Sequence, residues 1–508
     1  MPPSRAAPST LGAETSADTG GLALDSAAGR WVVAATVLGS GAVFVEGSVV
    51  NVALPAIARD LRLGMAGLQW VLNGYLLTLS ALMLLGGTLG DRNRRSTVFA
   101  VGLVAFAVAS AGCALSPTLP VLLGWRVVQG AAGALVVPNS LAMLETAFRG
   151  QARGVAIGHW AAWSAVSSAL GPLAGGWLVE AASWRWVFVG VAPLALAAAW
   201  SAWRHVHAVE PPLSSSESRS RAPVDAAGAV LVTLGLAGIT GALIVGPDAG
   251  FRSPGVLAAL VAGVACLVAF VAVERRAAQP LLPLEVFRSE QFVGANVTTL
   301  LVYAALGGLF FLLMLQLQTV LGYGALAAGA SLLPMNVLML VLSPRVGAWS
   351  QRIGPRVPMA VGSLVAAMGM LLFTRVRPGV GYVDGVLPAV AMFGLGLSIL
   401  VAPLTAAVLG AVDDRLAGVA SGVNNAVARL AGLLATAALP LAVGLGGMHG
   451  LQPAALSEGF TRAMWIGAAL CAVGGVVAWT TVSSGAEVAP TAHPSAEHGC
   501  VRGQGREC

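Results

Sequence analysis

The chain has 508 residues, of which 57% are hydrophobic and only 10% charged, with 64 glycines, a balance far more apolar than that of a soluble protein. All 28 basic residues are arginine; without lysine there is no P-loop to hold nucleotide phosphates and no Schiff-base chemistry, so active transport would have to draw on an ion gradient. The net charge of +6 is spread over short loops and not gathered in a stripe, which argues for orientation in a membrane and against nucleic acid.

Residues 1–30, rich in Ala, Ser, Thr and Gly, read as a disordered tail that stays attached, because the apolar run behind them is too long for a signal peptide. Helices are then expected at 32–55, 67–88, 97–115, 118–142, 155–180 and 186–203, forming a first half over 31–203. A polar linker at 204–225 precedes helices at 226–246 and 255–273, an inserted pair over 226–273. After a loop at 274–291 come helices at 292–317, 326–346, 357–374, 386–410, 418–445 and 461–482, a second half over 292–482, and a disordered tail at 483–508. Each span has about the 20 residues that cross roughly 30 Å of hydrocarbon, and no alternating ten-residue segments point to a barrel. The fold class expected is an all-α polytopic membrane protein.

An even number of helices puts both termini on one side. If that side is cytoplasmic, the inner segments hold 19 arginines and the outer segments seven, with Arg126 and Arg429 inside the membrane; the positive-inside rule therefore favours cytoplasmic termini and a cytoplasmic-membrane location. An internal repeat supports the layout. Gly87-x-x-Gly90-Asp91-Arg92 after helix 2 is echoed by Gly347-x-x-Ser350-Gln351-Arg352 after helix 10, and Gly154-Val-Ala-x-Gly158 by Gly418-Val-Ala-x-Gly422. Two parallel six-helix repeats suit an alternating-access transporter with its substrate site between the halves.

Five stretches carry candidate chemistry. In FVEGSVVNVALP, Phe44 to Pro55, Glu46 lies within a run otherwise fit for lipid; an intramembrane carboxylate needs a cavity, a partner or a proton. In helix 4, Arg126 lies beside Gln129, Gly130 and Gly133. Arg126 must find acceptors, either in Glu46 or in backbone carbonyls that it merely ties together. The repeat places Leu306 opposite Glu46 and Val390 opposite Arg126, so the charges belong to the first half alone. The turn Gly87 to Arg95, with Asp91, Arg92 and Arg95, reads either as a cytoplasmic latch, shared with Arg352, or as a basic topology loop; Asp91 is suited to cap the next helix. Gly171, Pro172, Gly175 and Gly176 fit a hinge or a tight helix crossing equally well. Asn424, Asn425 and Arg429 make a polar stripe on helix 13, and Trp160, Trp163, Phe310, Phe311 and Met314 are aromatic and sulfur residues that either form a ligand wall or simply pack. Five cysteines and six histidines form no CxxC, HExxH or other metal spacing, so neither a metal nor another cofactor is expected.

Together these stretches resemble the fourteen-helix drug:proton antiporter family of the major facilitator superfamily. VEGSVVNVALP is similar to the family's LDxTIVNVALP, with Glu46 in the acidic position and Asn51 and Pro55 in theirs; Gly87 to Arg95 resembles its loop 2–3 signature, Arg126, Gln129 and Gly130 its RxxQG, and Gly171 to Gly176 its GPxxGG. Trp184-Arg185-Trp186, Pro280 to Leu284, and Ser421-Gly-x-Asn-Asn resemble further stretches. Glu46 stands where Asp is usual, and Arg94 where the loop usually has glycine. The resemblance implies a major facilitator fold and proton-driven export of amphipathic compounds, with Glu46 and Arg126 concerned in proton coupling or substrate charge.

The expected function is therefore a monomeric membrane antiporter that exchanges inward protons for an outward apolar or cationic drug-like molecule, with Asn51, Gln129, Trp163, Asn424 and Asn425 as candidate cavity residues. A nearby Arg126 stabilises the ionised Glu46, and separating the two releases that preference. Proton-coupled transport of a specific metabolite and a non-transporting membrane sensor remain as alternatives; a membrane enzyme is disfavoured by the lack of a nucleophile motif.

Overall fold

A computed structural model describes residues 21–210, 225–277, 282, 284–413, 416–447 and 449–484. The first twenty residues, most of the expected linker, part of the 274–291 loop and nearly all of the expected C-terminal tail lie outside the described residues. Among those described there is no β-strand. The helices are α1 (Ala27–Leu61), α2 (Met65–Arg92), α3 (Arg95–Ala114), α4 (Leu119–Ala147), α5 (Gly150–Ala181), α6 (Arg185–Val206), α7 (Ala226–Ala249), α8 (Pro254–Glu274), α9 (Glu290–Val320), α10 (Ala325–Ile353), α11 (Arg356–Phe373), α12 (Tyr382–Leu409), α13 (Ala417–Ala442) and α14 (Pro453–Thr481). Thirteen of them are long and apolar enough to cross a membrane. The exception, α5, has 32 residues and is diluted by Gly, Ser and His, but it packs along α1 with the other helices.

Side-chain caps start several helices by satisfying an exposed N–H. Ser26 accepts from Gly29 at 3.0 Å, Asp225 from Gly228 at 2.7 Å and Ser289 from Phe292 at 3.2 Å. Three of the boundaries that differ from expectation have a plain physical cause. Pro55 does not end the first helix: it is buried inside α1, where it removes only the N–H that the Asn51 carbonyl would accept, and the helix runs on to Leu61 before Arg62 turns left-handed at φ 54°. The last helix begins at Pro453, eight residues before the expected 461, because polar residues that cannot lie in lipid still form exposed turns, and Glu458 pairs there with Arg462. The linker also starts late, since α6 continues through a π-turn, Ala202–Val206, and His207–Val209.

Both ends of the described chain meet one face. There Leu22 N–H donates to the Ala147 carbonyl at 2.8 Å, and Ser483 N–H donates to the Gln291 amide oxygen at 3.3 Å. We call it the terminal face and the opposite one the distal face.

The internal repeat is visible in the packing. In the first half α1 packs on α4, α5 and α6, α2 on α4, and α3 on α4 and α6; each pairing recurs eight helices later as α9 on α12, α13 and α14, α10 on α12, and α11 on α12 and α14. The echoed loop glycines occupy matching contacts: Gly87 faces Pro138 of α4, and Gly347 faces Ala402 of α12. Helices α7 and α8 pair with each other, and α7 lies against α2 and α13, one from each half. Leu77, Ala81, Leu236 and Leu433 form a small buried core there.

Candidate functional site

The i, i+3, i+4 spacing of Arg126, Gln129 and Gly130 places all three on one face of α4. Gly130 lets that face approach α2 so closely that any side chain would run into the Tyr75 carbonyl and the Thr78 hydroxyl. The contact delivers Arg126 between α1 and α2. Its Nη1 lies 2.6 Å from Glu46 Oε1 and 2.6 Å from Gln129 Oε1, and its Nε donates to the Val71 carbonyl at 3.0 Å. Gln129 is itself held by donating to Ser110 Oγ at 2.7 Å. The Tyr75 ring lies under the guanidinium at 4.5 Å, and Tyr75 Oη donates to the Val43 carbonyl at 3.3 Å.

This pair is closed to water, with Glu46 0% and Arg126 1% exposed. Removing one partner of such a pair strands a buried charge, which costs about 3–5 kcal/mol. Glu46 Oε2 accepts no hydrogen bond. The group therefore keeps one acceptor unused beside a fixed cation.

A cavity of about 350 Å³ adjoins the pair, lined from both halves by α1, α2 and α4 on one side and α9 and α13 on the other. Phe44, Asn51, Tyr75, Tyr303, Phe310, Asn425 and Arg429 all contribute, and so does Leu306, the repeat counterpart of Glu46. Of the expected cavity residues, Asn51 and Asn425 therefore line it, and Gln129 lies behind its wall. Asn424 turns to α9 instead, donating to Thr299 Oγ1 at 2.7 Å. Trp163 is 54% exposed and lies outside the lining. The tyrosines and Arg429 complete the wall. Tyr75 and Tyr303 went unsingled because one tyrosine in an apolar helix has no periodic signal, whereas Arg429 was legible as an intramembrane charge.

On the distal side the halves are bolted together. Gln69 of α2 donates to the carbonyls of Thr436 and Ala437 at 2.8 and 3.1 Å, Gln318 of α9 donates to that of Val52 at 2.9 Å, and Glu180 of α5 accepts from Leu326 N–H at 2.9 Å. The GPxxGG stretch completes the seal: Gly171 and Gly175 seat α5 on α1, while Gly176 and the Pro172 carbonyl press against Ala325 and Gly329 of α10. Near the terminal face, Gly154, Gly158 and Gly418 have open space where a side chain would be. The cavity is thus closed distally, whereas toward the termini the described cross-half hydrogen bonds cease and α2 still touches α13, with Gly422 facing Leu84.

Among the described residues, Asp91 and Arg95 find partners within the first half. Asp91 pairs with Arg95 at 2.6 Å, and Arg95 also donates to the Ala142 carbonyl of α4 at 2.9 Å. Arg92 is in the last turn of α2, and Arg352 is exposed in the last turn of α10. Asp91 does not cap α3, contrary to expectation, because α2 stays helical through Arg92 and points the carboxylate at i+4. Glu210, beyond the end of α6, takes that place by accepting from Arg95 N–H at 2.8 Å. Arg94, in the usual glycine position, donates to the carbonyls of His207 and Glu210 at 3.0 and 2.7 Å.

Among known proteins, a family profile described as Major Facilitator Superfamily matches residues 36–436. The chain is 33% identical over 435 residues to the tetracenomycin C resistance and export protein of Streptomyces glaucescens, covering 84% of this chain and 79% of that one. It is 34% identical over 462 residues to a puromycin resistance protein of Streptomyces alboniger, covering 88% and 90%. A bacterial homologue of the human lysosomal transporter Spinster, solved inward-facing and unoccupied, has the same fold at a TM-score of 0.61 and 18% identity, over 89% of this chain and 96% of that one.

Proposed function

The chain belongs to the Major Facilitator Superfamily, and from that premise we propose that it is a proton-coupled antiporter exporting drug-like or antibiotic small molecules across the cytoplasmic membrane, with both termini in the cytoplasm. The resistance and export roles in its relatives' names support the direction and the kind of cargo. The observation that carries the coupling is the 2.6 Å pair of Glu46 with Arg126, sealed in the wall of a cavity between the halves.

With the halves parted at the cytoplasmic end, Glu46 is ionised against Arg126 and the cavity takes its substrate. Rocking closes that end and opens the distal seam, where the substrate leaves. Movement of α1 against α4 separates the pair, and a proton from outside neutralises Glu46. Return to the first state restores the pair and releases the proton inside. The cycle requires a carboxylate at position 46 and sets no demand on the length of the side chain that carries it. Asp91 and Arg95 form the cytoplasmic latch with Arg352 in the other state, and Gly171 to Gly176 form the surface on which α5 pivots.

The reading is tested in everted membrane vesicles with an acidic interior, using the lipophilic dye N-phenyl-1-naphthylamine. Accumulation that needs the chain and collapses with nigericin is expected. Accumulation unaffected by nigericin, or uptake only in right-side-out vesicles, contradicts it.

A further inference from the structure

A second arginine faces the cavity, and no described carboxylate neutralises it. Arg429 lines the cleft from α13, one turn beyond Asn425, so the polar stripe of that helix points at the substrate space. Its guanidinium lies 5.6 Å from the centre of the Phe44 ring across the cavity, and its Nε is buried without an acceptor. Among the described residues no carboxylate forms an ion pair with it.

The lining contains two arginines and neither Asp nor Glu. Arg126 is already matched by Glu46, which leaves the wall one positive charge in excess. A guanidinium keeps its charge in any surroundings, and an intramembrane charge ordinarily has a partner. Among the described residues that partner is missing at the place where cargo would sit. Phe44, Phe310 and Tyr303 around it offer ring faces and edges to a flat apolar body.

Resting on the export reading above, we propose that Arg429 is the specificity residue of the cavity: it pairs with an oxyanion on the transported molecule. The cargo is then an amphipathic compound that carries a carboxylate, sulfonate or ionised phenol on an apolar ring system, in place of the apolar or cationic molecule expected from the sequence. A cation would meet an unmatched like charge.

The test uses the full chain in phosphatidylcholine vesicles with an imposed pH gradient and two probes on one scaffold, anionic 8-anilinonaphthalene-1-sulfonate and neutral N-phenyl-1-naphthylamine. Arg429→Gln should slow transport of the anion at least about tenfold, the loss of a charge-assisted contact, and leave the neutral probe within about twofold. Arg429→Lys should restore part of the anion's rate. Equal loss of both probes, or of neither, overturns the assignment. An oxyanion can also come from lipid. If phosphatidylglycerol, and not the sulfonate probe, stabilises the purified wild type against heat in an Arg429-dependent way, the partner is a headgroup and the assignment to cargo fails. Should the wild type move neither probe, it is the export reading that fails; stabilisation by the sulfonate probe of the wild type over Arg429→Gln then still upholds the anion site, and its absence overturns it.

Discussion

Glu46 and Arg126 are each costly alone in the membrane, and the site works because each is the other's remedy. Arg126→Met leaves the carboxylate buried without its cation, so a destabilisation of about 3–5 kcal/mol is expected in thermal unfolding of the purified protein. Glu46→Leu combined with Arg126→Met should be markedly more stable than Arg126→Met alone, since the double change removes both charges; additive losses in that cycle would show that the pair is not energetically coupled. Both residues were legible in the sequence, because a charge in an apolar run has few innocent explanations. Their partners were less so. Ser110, which fixes Gln129, and the Val71 carbonyl, which takes Arg126 Nε, carry no mark in the sequence that distinguishes them from their neighbours. Asp91 was misplaced for a related reason: whether a carboxylate accepts from the next helix's first N–H groups or pairs with that helix's first side chain, as Asp91 does with Arg95, turns on where its own helix stops, and a shift of one or two residues decides it.

Among the elements, α5 and α10 form the distal seam through small residues, and the close approach leaves no room for a side chain. Gly329→Val would push against the Pro172 carbonyl and cost about 1–3 kcal/mol by overpacking; the chain should then spend more time open distally. The check is labelling of a single cysteine at Glu180 by a membrane-impermeant maleimide from the distal side, which should rise in the Gly329→Val background. The sequence left a hinge and a tight crossing as equal readings of the glycine-rich stretch. The packing establishes the crossing, and pivoting there follows only from the proposed cycle. The extension of α6 was not legible, because Arg204, His205, His207 and Glu210 are polar and look like the linker that follows. They are helical or anchored because Glu210 accepts from the start of α3. Replacing it in Glu210→Ala removes a cap worth about 0.5–2 kcal/mol, so proteolysis near residue 210 should speed up while the protein remains folded.

At the scale of the molecule, the two halves and the inserted pair were legible from apolar run length and from two glycine-rich echoes, since fourteen spans and a repeat leave few arrangements. Which end of the cavity is open was not legible, because both states must be compatible with one sequence. The cross-half hydrogen bonds lie on the distal side and Gly158 has open space around it, so a lone cysteine at Gly158 should react with an impermeant maleimide from the terminal face, and one at Gly324, against Glu180, should be protected. The central claim is that Glu46 carries the proton which the exported molecule is exchanged for. It is tested most directly by measuring proton release from acid-loaded vesicles on addition of the transported probe, for the wild type and Glu46→Gln. The account predicts probe-dependent proton efflux in the wild type and at least about a hundredfold less in Glu46→Gln, the loss expected for an essential protonation site, with probe binding retained. Undiminished probe-driven proton efflux in Glu46→Gln would contradict it.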